Sequence, residues 1–191
     1  MNPRRRALID RLRDADPEVR ARAAQSLDLL EVLEGLPGLL ARLRTLGTTD
    51  WLAALRALAG RRDETSLKLG LRCLEHPDEE VRVAALDLIE SFGDVRAAAT
   101  VCRRLSDPEA VVRARAAEVL GRLGDRRRGD EIAPLLSDLD SRVIARAAQA
   151  LGLLDHGASE PRLIALLGHV DADVRASAAE ALGRMGLSPS G

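Results

Sequence analysis

The chain has 191 residues, 46% of them hydrophobic, which supplies enough apolar material for a packed core and argues against a disordered protein. Aromatic residues make up 1%, with one Trp, one Phe and no Tyr, so strand-built sandwiches and barrels, which draw on aromatic and β-branched residues, are disfavoured. Basic and acidic side chains nearly cancel to a formal charge of −1, so no global field draws the protein to nucleic acid or an acidic membrane.

Ile9 and Leu12, three residues apart, open the chain with one apolar helical face. Asp16-Pro17 then marks a turn and the start of a second helix. The Asp carboxylate can accept from the free amides there and favours the helix's positive end, and Pro suits a first turn whose amide lacks an intrahelical partner. That helix carries Val19-Arg20 and the small pair Ala23-Ala24.

The same succession returns 31 residues on, with Leu40 and Leu43, then Asp50-Trp51 in place of the Val-Arg pair, then Ala54-Leu55 and Leu58. The third copy has Leu71 and Leu74, Asp78, Val81-Arg82 and Ala85-Leu86. The fourth has Cys102 and Leu105, Pro108 read as a helix start, Val112-Arg113 and Ala116-Ala117. The fifth has Ala133 and Leu136, Asp140, Val143-Ile144 and Ala147-Ala148. The sixth has Ile164 and Leu167, Asp171, Val174-Arg175 and Ala178-Ala179. Gly93, Gly124 and Gly186 sit where second helices should end, and Gly121, Gly152 and Gly183 extend the small-residue column that lets helices approach closely.

A fixed period of this length signals stacked supersecondary units. The expected fold is all-α, a right-handed α-solenoid of six two-helix repeats in a single domain over 1–191. The repeats fall at approximately 3–33, 34–62, 63–93, 94–124, 125–155 and 156–186, with a short tail at 187–191. At helix spacings of ~8–10 Å the stack predicts a curved rod roughly 50–60 Å long with the second helices lining its inner face.

Glu109 through Gly124 resembles the consensus Asp-x-x-Val-Arg-x-x-Ala-Ala-x-x-Leu-Gly-x-Leu-Gly of HEAT-like repeats of the phycobilisome-lyase type, apart from its acidic opening residue. The resemblance covers nearly the whole chain and speaks to fold, because the consensus encodes stacking. It implies a ladder of recurrent Asp and Arg between adjacent turns, involving Arg20, Arg82, Arg113 and Arg175. Trp51 and Ile144 interrupt it, so the second and fifth repeats should depart from regular stacking.

Motifs for catalysis are missing from the sequence: no Gly-rich phosphate loop, no Gly-x-Ser-x-Gly, no His-Glu-x-x-His and no His-Glu dipeptide of the kind that HEAT-like di-iron hydroxylases use. His76 and His169 share a column three repeats apart, ~25–30 Å at the spacing above, too far for one metal; His156 is the third histidine. Cys73 and Cys102 lack Cys-x-x-Cys spacing and read as small core residues. No cofactor, metal site or catalytic residue is expected. A bilin lyase is the enzyme the resemblance suggests, but it is implied to use paired subunits and a chromophore pocket, and this aromatic-poor chain offers little to cradle a tetrapyrrole.

The surface carries the functional expectation. Three residues after the ladder valine the column reads Arg22, Ala53, Ala84, Arg115, Arg146 and Ser177, and ten after it come Arg122 and Arg184. With Arg126-Arg127-Arg128 nearby, the fourth and fifth repeats offer a local basic patch, offset by Glu118, Asp125, Asp130 and Glu131. Trp51 is either a binding anchor or the filler of a packing gap. Together these predict a non-enzymatic scaffold or adaptor, cytoplasmic and bacterial, that binds a partner protein through the concave face. Arg22, Trp51, Arg115, Arg122, Arg146 and Arg184 are the candidate contacts. The rival is a nucleic-acid-binding protein using the same arginines, and an end-to-end homodimer stands beside the monomer as the oligomeric form. No apolar run reaches the roughly 20 residues needed to span a bilayer, and no leader-like segment follows Met1.

Overall fold

The computed structural model describes residues 3–20, 22, 23, 26, 47–59 and 63–185. Among them every regular element is helical. The chain divides into two compact units, 1–54 and 55–191. None of the described helices is long and apolar enough to cross a membrane.

In the first unit α1 (Pro3–Arg11) leads into a tight turn. Asp14 Oδ1 accepts the Asp16 amide at 3.1 Å, and Asp16 Oδ1 accepts the Glu18 amide at 2.8 Å. Pro17 is the first residue of the next helical stretch, as its missing amide hydrogen favours. Arg20 reaches back over the turn and donates to the carbonyls of Asp14 and Ala15 at 2.8 and 2.9 Å. Helix α2 (Thr48–Ala59), of which residues 48–54 belong to this unit, brings in Trp51.

The second unit stacks helical pairs. Helix α3 (Glu64–Cys73) is capped by Asp63, which accepts from the amide and hydroxyl of Ser66 at 2.8 and 3.0 Å. It packs on α4 (Glu79–Phe92), whose first turn is capped by Asp78 and whose end is closed by Gly93 at φ +64°. The next pairs are α5 (Ala98–Val101) with α6 (Ala110–Leu123), α7 (Gly129–Ile132) with α8 (Ser141–Leu153), and α9 (Glu160–Leu166) with α10 (Ala172–Met185). Helices α5 and α7 are short because 3₁₀ turns flank them, at Val95–Ala97 and Cys102–Ser106 around α5, and at Arg126–Arg128 and Ala133–Ser137 around α7. In the latter, Pro134 removes the amide that an uninterrupted α-helix would bond four residues back. Pro108 also departs from the sequence reading. It lies outside α6, ahead of the extended Glu109 that serves as its N-cap.

The second helices form the spine. Val81, Val112, Val143 and Val174 are fully buried, as are Ala85, Ala116, Ala117, Ala147, Ala148 and Ala178. Glycine sets the closest approaches. A Cβ on Gly121 would stand 2.8 Å from Ala150 Cα, and one on Gly152 would stand 2.6 Å from Ala181 Cα, so only hydrogen fits at either position. Gly183 continues the column, but nothing lies within 4 Å of its would-be Cβ.

The Asp–Arg ladder forms at Arg82 and Arg113, with a different carboxylate from the capping one, while Arg20 and Arg175 bond the carbonyls of their own turns. Arg82 Nε and NH2 clasp Asp107 at 2.9 and 2.8 Å, while its NH1 donates to the carbonyls of His76 and Pro77. Arg113 repeats this on Asp138 at 2.8 Å for both bonds, with NH1 on the carbonyls of Asp107 and Pro108. Asp78, Asp140 and Asp171, two residues after the ladder position, cap helices by accepting the amides of Glu80, Arg142 and Asp173. At the fifth repeat Ile144 replaces the arginine, and the gap closes by apolar packing of Ile144 and Ala145 on Val174, with Leu166 alongside. Its stacking therefore continues without the rung.

Candidate functional site

The exposed face of α4, α6, α8 and α10 collects the second unit's predicted contact residues, and its charges are paired across helices. Arg115 on α6 reaches α4, where Nε meets Asp87 at 2.6 Å and NH2 bonds Glu90, and its NH1 lies 3.1 Å from Glu118. Arg122 bonds the same Glu90 and holds Glu118 at 2.6 Å. Burial alone would raise the Glu90 carboxyl, but the bonds from Arg122 and Arg115 outweigh it and hold its pKa below the usual range. Burial likewise works against the Arg115 charge, and Asp87 and Glu90 more than restore it. The patch that reads as basic in one dimension is thus an alternating lattice of both signs.

Arg146 is held differently. Its NH1 donates to Gln149 Oε1 at 3.0 Å, and its contact with Glu118 is 3.9 Å, beyond hydrogen-bond reach. It lines three surface grooves. One of about 310 Å³ runs between α8 and α10 past Ser141, Gln149, Ser177 and Glu180. A second, about 290 Å³, adds Arg122, Leu153 and Arg184. The third, about 230 Å³, runs along α6 and α8 over Val83, Val111 and Ala114. Arg184 is paired within its own helix to Glu180 at 2.9 Å. The structure therefore brings Arg115, Arg122, Arg146 and Arg184 onto neighbouring second helices.

The other predicted contacts lie in the first unit. Arg22 is exposed and pairs with Glu18 at 2.7 Å. Trp51 is only 5% exposed, which favours the packing side of its two readings. The Arg126-Arg127-Arg128 turn is neutralised locally, with Arg127 and Arg128 on Asp125 at 2.8 and 3.1 Å, Arg128 on Glu131 at 2.8 Å and Arg126 3.5 Å from Asp155.

Residues that bear chemistry are occupied structurally. His76 and His169 each accept a backbone amide at Nδ1, from Asp78 and Asp171, both at 3.1 Å. His156 covers Gly129 and joins Ser159 at 2.8 Å and Asp130 at 3.2 Å. Burial pushes the Cys73 thiol up to about 12 and Cys102 to about 11, so neither is a ready nucleophile. Among the described residues no group of three or more His, Cys, Asp and Glu side chains is placed to hold a metal ion.

Sequence reasoning missed the column six residues after the ladder valine: Asp87, Glu118, Gln149 and Glu180. With Glu90 it supplies the partners of the arginines, and the same 31-residue comparison that found the arginines would have shown it.

Comparison with known proteins agrees with this architecture. The HEAT-repeats family matches at residues 37–121, 69–136 and 129–190. The complex of CpcE and CpcF of phycocyanin lyase from Nostoc sp. PCC7120 contains a similar chain. It is 26% identical, with 95% of this chain and 77% of that one covered and a TM-score of 0.55. An engineered protein shares the fold at 20% identity, 97% coverage of both chains and a TM-score of 0.59. So does a designed armadillo repeat protein solved with a (KR)4 peptide, at 16% identity, 96% and 100% coverage and a TM-score of 0.60. No protein of curated function matches the sequence. With all-helical stacked pairs, glycine-set helix approaches and an inter-repeat Asp–Arg ladder, the chain belongs to the HEAT-repeat family.

Proposed function

We propose that this protein is a non-enzymatic interaction scaffold or adaptor that binds a partner protein along the concave face formed by its second helices. The observation that carries the reading is the convergence of three open grooves on Arg146, the arginine of that face held by an amide at bonding distance and by a carboxylate only at 3.9 Å. A guanidinium so held can take up a carboxylate from a partner without first breaking a tight pair. Around it, exposed Val111 and Leu153 supply apolar edges, each more than 40% exposed. Arg115 and Arg122 hold Glu118 and with it shape the groove walls; Arg184 frames one groove, Arg22 is the exposed candidate contact of the first unit, and the burial of Trp51 leaves it a packing residue. The proposed organisation is one domain over 1–191 that works in the cytoplasm of a bacterium without a cofactor, as a monomer or an end-to-end homodimer. Light scattering separates those two forms by mass.

The test is an affinity pull-down from native lysate with the full chain, wild type against Arg146→Glu and against the double variant Arg115→Glu, Arg146→Glu. Loss of the same specific protein from both variants supports the reading, and unchanged recovery overturns it. Nuclease-sensitive recovery favours the nucleic-acid alternative, against which the pairing of Arg115 and Arg122 with carboxylates weighs. The likeness to a chain of the CpcE–CpcF complex supports one further reading, a subunit of a heteromeric lyase. A bilin whose absorbance shifts on mixing with the chain would favour it.

A further inference from the structure

One row of side chains in the second unit points away from the protein. In the turns within that unit's helical pairs, the residue between the ladder position and the N-cap residue of the second helix is Pro77, Pro108, Leu139 or Val170, and all four are exposed. Leu139 is 104% exposed and Val170 93%, the extremes among the large apolar residues described.

The turn geometry accounts for the direction. His76, Asp107, Asp138 and His169 each accept the amide two residues on at 3.0–3.1 Å, which folds the chain around the middle residue and turns its side chain outward. The carbonyls of Pro77, Pro108 and Val170 are in turn held by Arg82, Arg113 and Arg175, which fixes the backbone at those three turns, whereas Ile144 stands in place of the arginine at Leu139.

Such a position should be polar, since turns favour Gly, Asn, Asp and Ser and no core selects for an apolar residue. The sequence column instead reads Ala15, Leu46, Pro77, Pro108, Leu139 and Val170. Proline has a local reason at a turn. Leucine and β-branched valine have none, and a fully solvated leucine gains nothing from folding.

The flanks say what could cover the row. Glu79, Glu80, Glu109 and Asp173 are exposed beside it and outnumber the exposed Arg142 and Arg175, with Arg142 paired to Asp140 at 2.7 Å and Asp138 paired to Arg113 at 2.8 Å. An acidic rim repels an anionic bilayer, nucleic acid and the same row of a second copy. It attracts lysine and arginine. The step between rows is roughly 8–10 Å at ordinary helix spacing, close to the ~10.5 Å that an α-helix advances in seven residues.

We propose that the turn edge of the second unit docks an amphipathic helix of a partner protein, with apolar residues recurring every seven positions, lysine or arginine on both sides of them, and Leu139 and Val170 as the anchors beneath. This surface is separate from the second-helix face and does not depend on that reading.

The probe is a fluorescein-labelled 21-residue helical peptide with a leucine seam flanked by lysines, titrated with the full chain and followed by fluorescence anisotropy. Saturable binding is expected. It should weaken at least tenfold in Leu139→Asp and in Val170→Asp, persist in Arg146→Glu, and disappear when the peptide's lysines become glutamates. Leu139→Ser serves as a milder variant, and circular dichroism melts confirm that each variant folds. Absence of binding by the wild type overturns the proposal, as does equal binding by Leu139→Asp and Val170→Asp. So does loss of binding in Arg146→Glu with retention in Leu139→Asp. Capture of the wild type by vesicles of phosphatidylcholine and phosphatidylserine, or self-association abolished by Leu139→Asp, would assign the row to a membrane or a second copy and also overturn it.

Discussion

Arg82 clasps Asp107, 25 residues on, through two parallel bonds, with neither side chain more than 7% exposed. Asp107 simultaneously accepts the Glu109 amide and so organises the turn before α6. One carboxylate therefore joins a local turn to the neighbouring repeat. Arg104 lies 3.5 Å from the same Asp107 and donates to the Leu74 carbonyl at 3.1 Å. Removing one partner from so buried a pair leaves an uncompensated charge, which costs on the order of 3–5 kcal/mol. Asp107→Ala should lose that much in urea unfolding. Asp138→Ala should lose less, because its partner Arg113 is 18% exposed and water can compensate.

The two gaps left by a missing arginine are matched. Twenty-five residues after Ile144 stands His169, and 25 after Trp51 stands His76, so where the arginine is missing the carboxylate is missing too. Ile144→Arg alone places a charge in the cluster with Ala145 and Val174 and should destabilise by about 2–4 kcal/mol. Adding His169→Asp supplies the missing rung while still accepting the Asp171 amide. Urea unfolding of the four proteins of the double-mutant cycle should give a favourable coupling of about 1–3 kcal/mol. A coupling of zero would mean that the fifth and sixth repeats are not stacked in the register of the Arg82 rung.

Much of this was legible because the repeat is written in columns. The buried valines and alanines, the capping Asp78, Asp140 and Asp171, and the left-handed Gly93 and Gly124 all follow from local rules applied every 31 residues. The ladder carboxylate was not, since its column reads Asp14, Thr45, His76, Asp107, Asp138 and His169, while the capping Asp stands closer to the arginine in sequence. The candidate face was half legible. The side Arg115 and Arg122 occupy follows from helical spacing, whereas their pairing with Asp87 and Glu90 depends on how one helix is offset along the next. That offset is set by the packing of α6 on α4, which no single-helix pattern contains.

Glycine in mid-helix costs about 1 kcal/mol relative to alanine, so Gly→Ala separates packing from propensity. Gly183→Ala meets nothing within 4 Å and should stabilise by about 0.5–1 kcal/mol in thermal unfolding. Gly152→Ala drives a methyl to 2.6 Å from the Ala181 backbone and forces the helices apart. Overpacking of this kind costs about 1–3 kcal/mol, which outweighs the propensity gain, so this variant should melt lower than the wild type.

Acid should loosen the second unit. The Arg127 guanidinium holds the Asp125 carboxyl down at about 2, and Arg142 does the same for Asp140. Arg113 also lowers Asp138, and Arg122 and Arg115 lower Glu90 against the effect of burial. A carboxyl whose folded pKa is depressed binds fewer protons folded than unfolded. Its contribution is complete above the unfolded value near ~4 and is lost as pH falls toward the folded one. The urea midpoint should therefore be flat from pH 7 to about 5 and fall between about 4 and 2. Asp125→Asn should shrink the fall while lowering the midpoint at pH 7.

Asp155 occupies the position that glycine holds at the ends of the two preceding second helices. Its φ is +53°, beside +64° at Gly93 and +74° at Gly124. A side chain in that region costs roughly 1 kcal/mol, somewhat less for Asp, which can bond locally. Its compensation here is weak, because Arg126 lies 3.5 Å away and is 71% exposed, and exposed pairs contribute little. Glycine at 155 would relieve the strain, lose that contact and widen the unfolded ensemble. The net expectation is a small gain of about 0.5 kcal/mol for Asp155→Gly, read as a higher urea midpoint. Asp155→Val, branched at Cβ, should lose at least about 1–2 kcal/mol at the same site. If the glycine variant instead melts lower and Arg126→Ala melts equally low, the Asp155 carboxylate is holding the turn, and strain is not what governs this helix end.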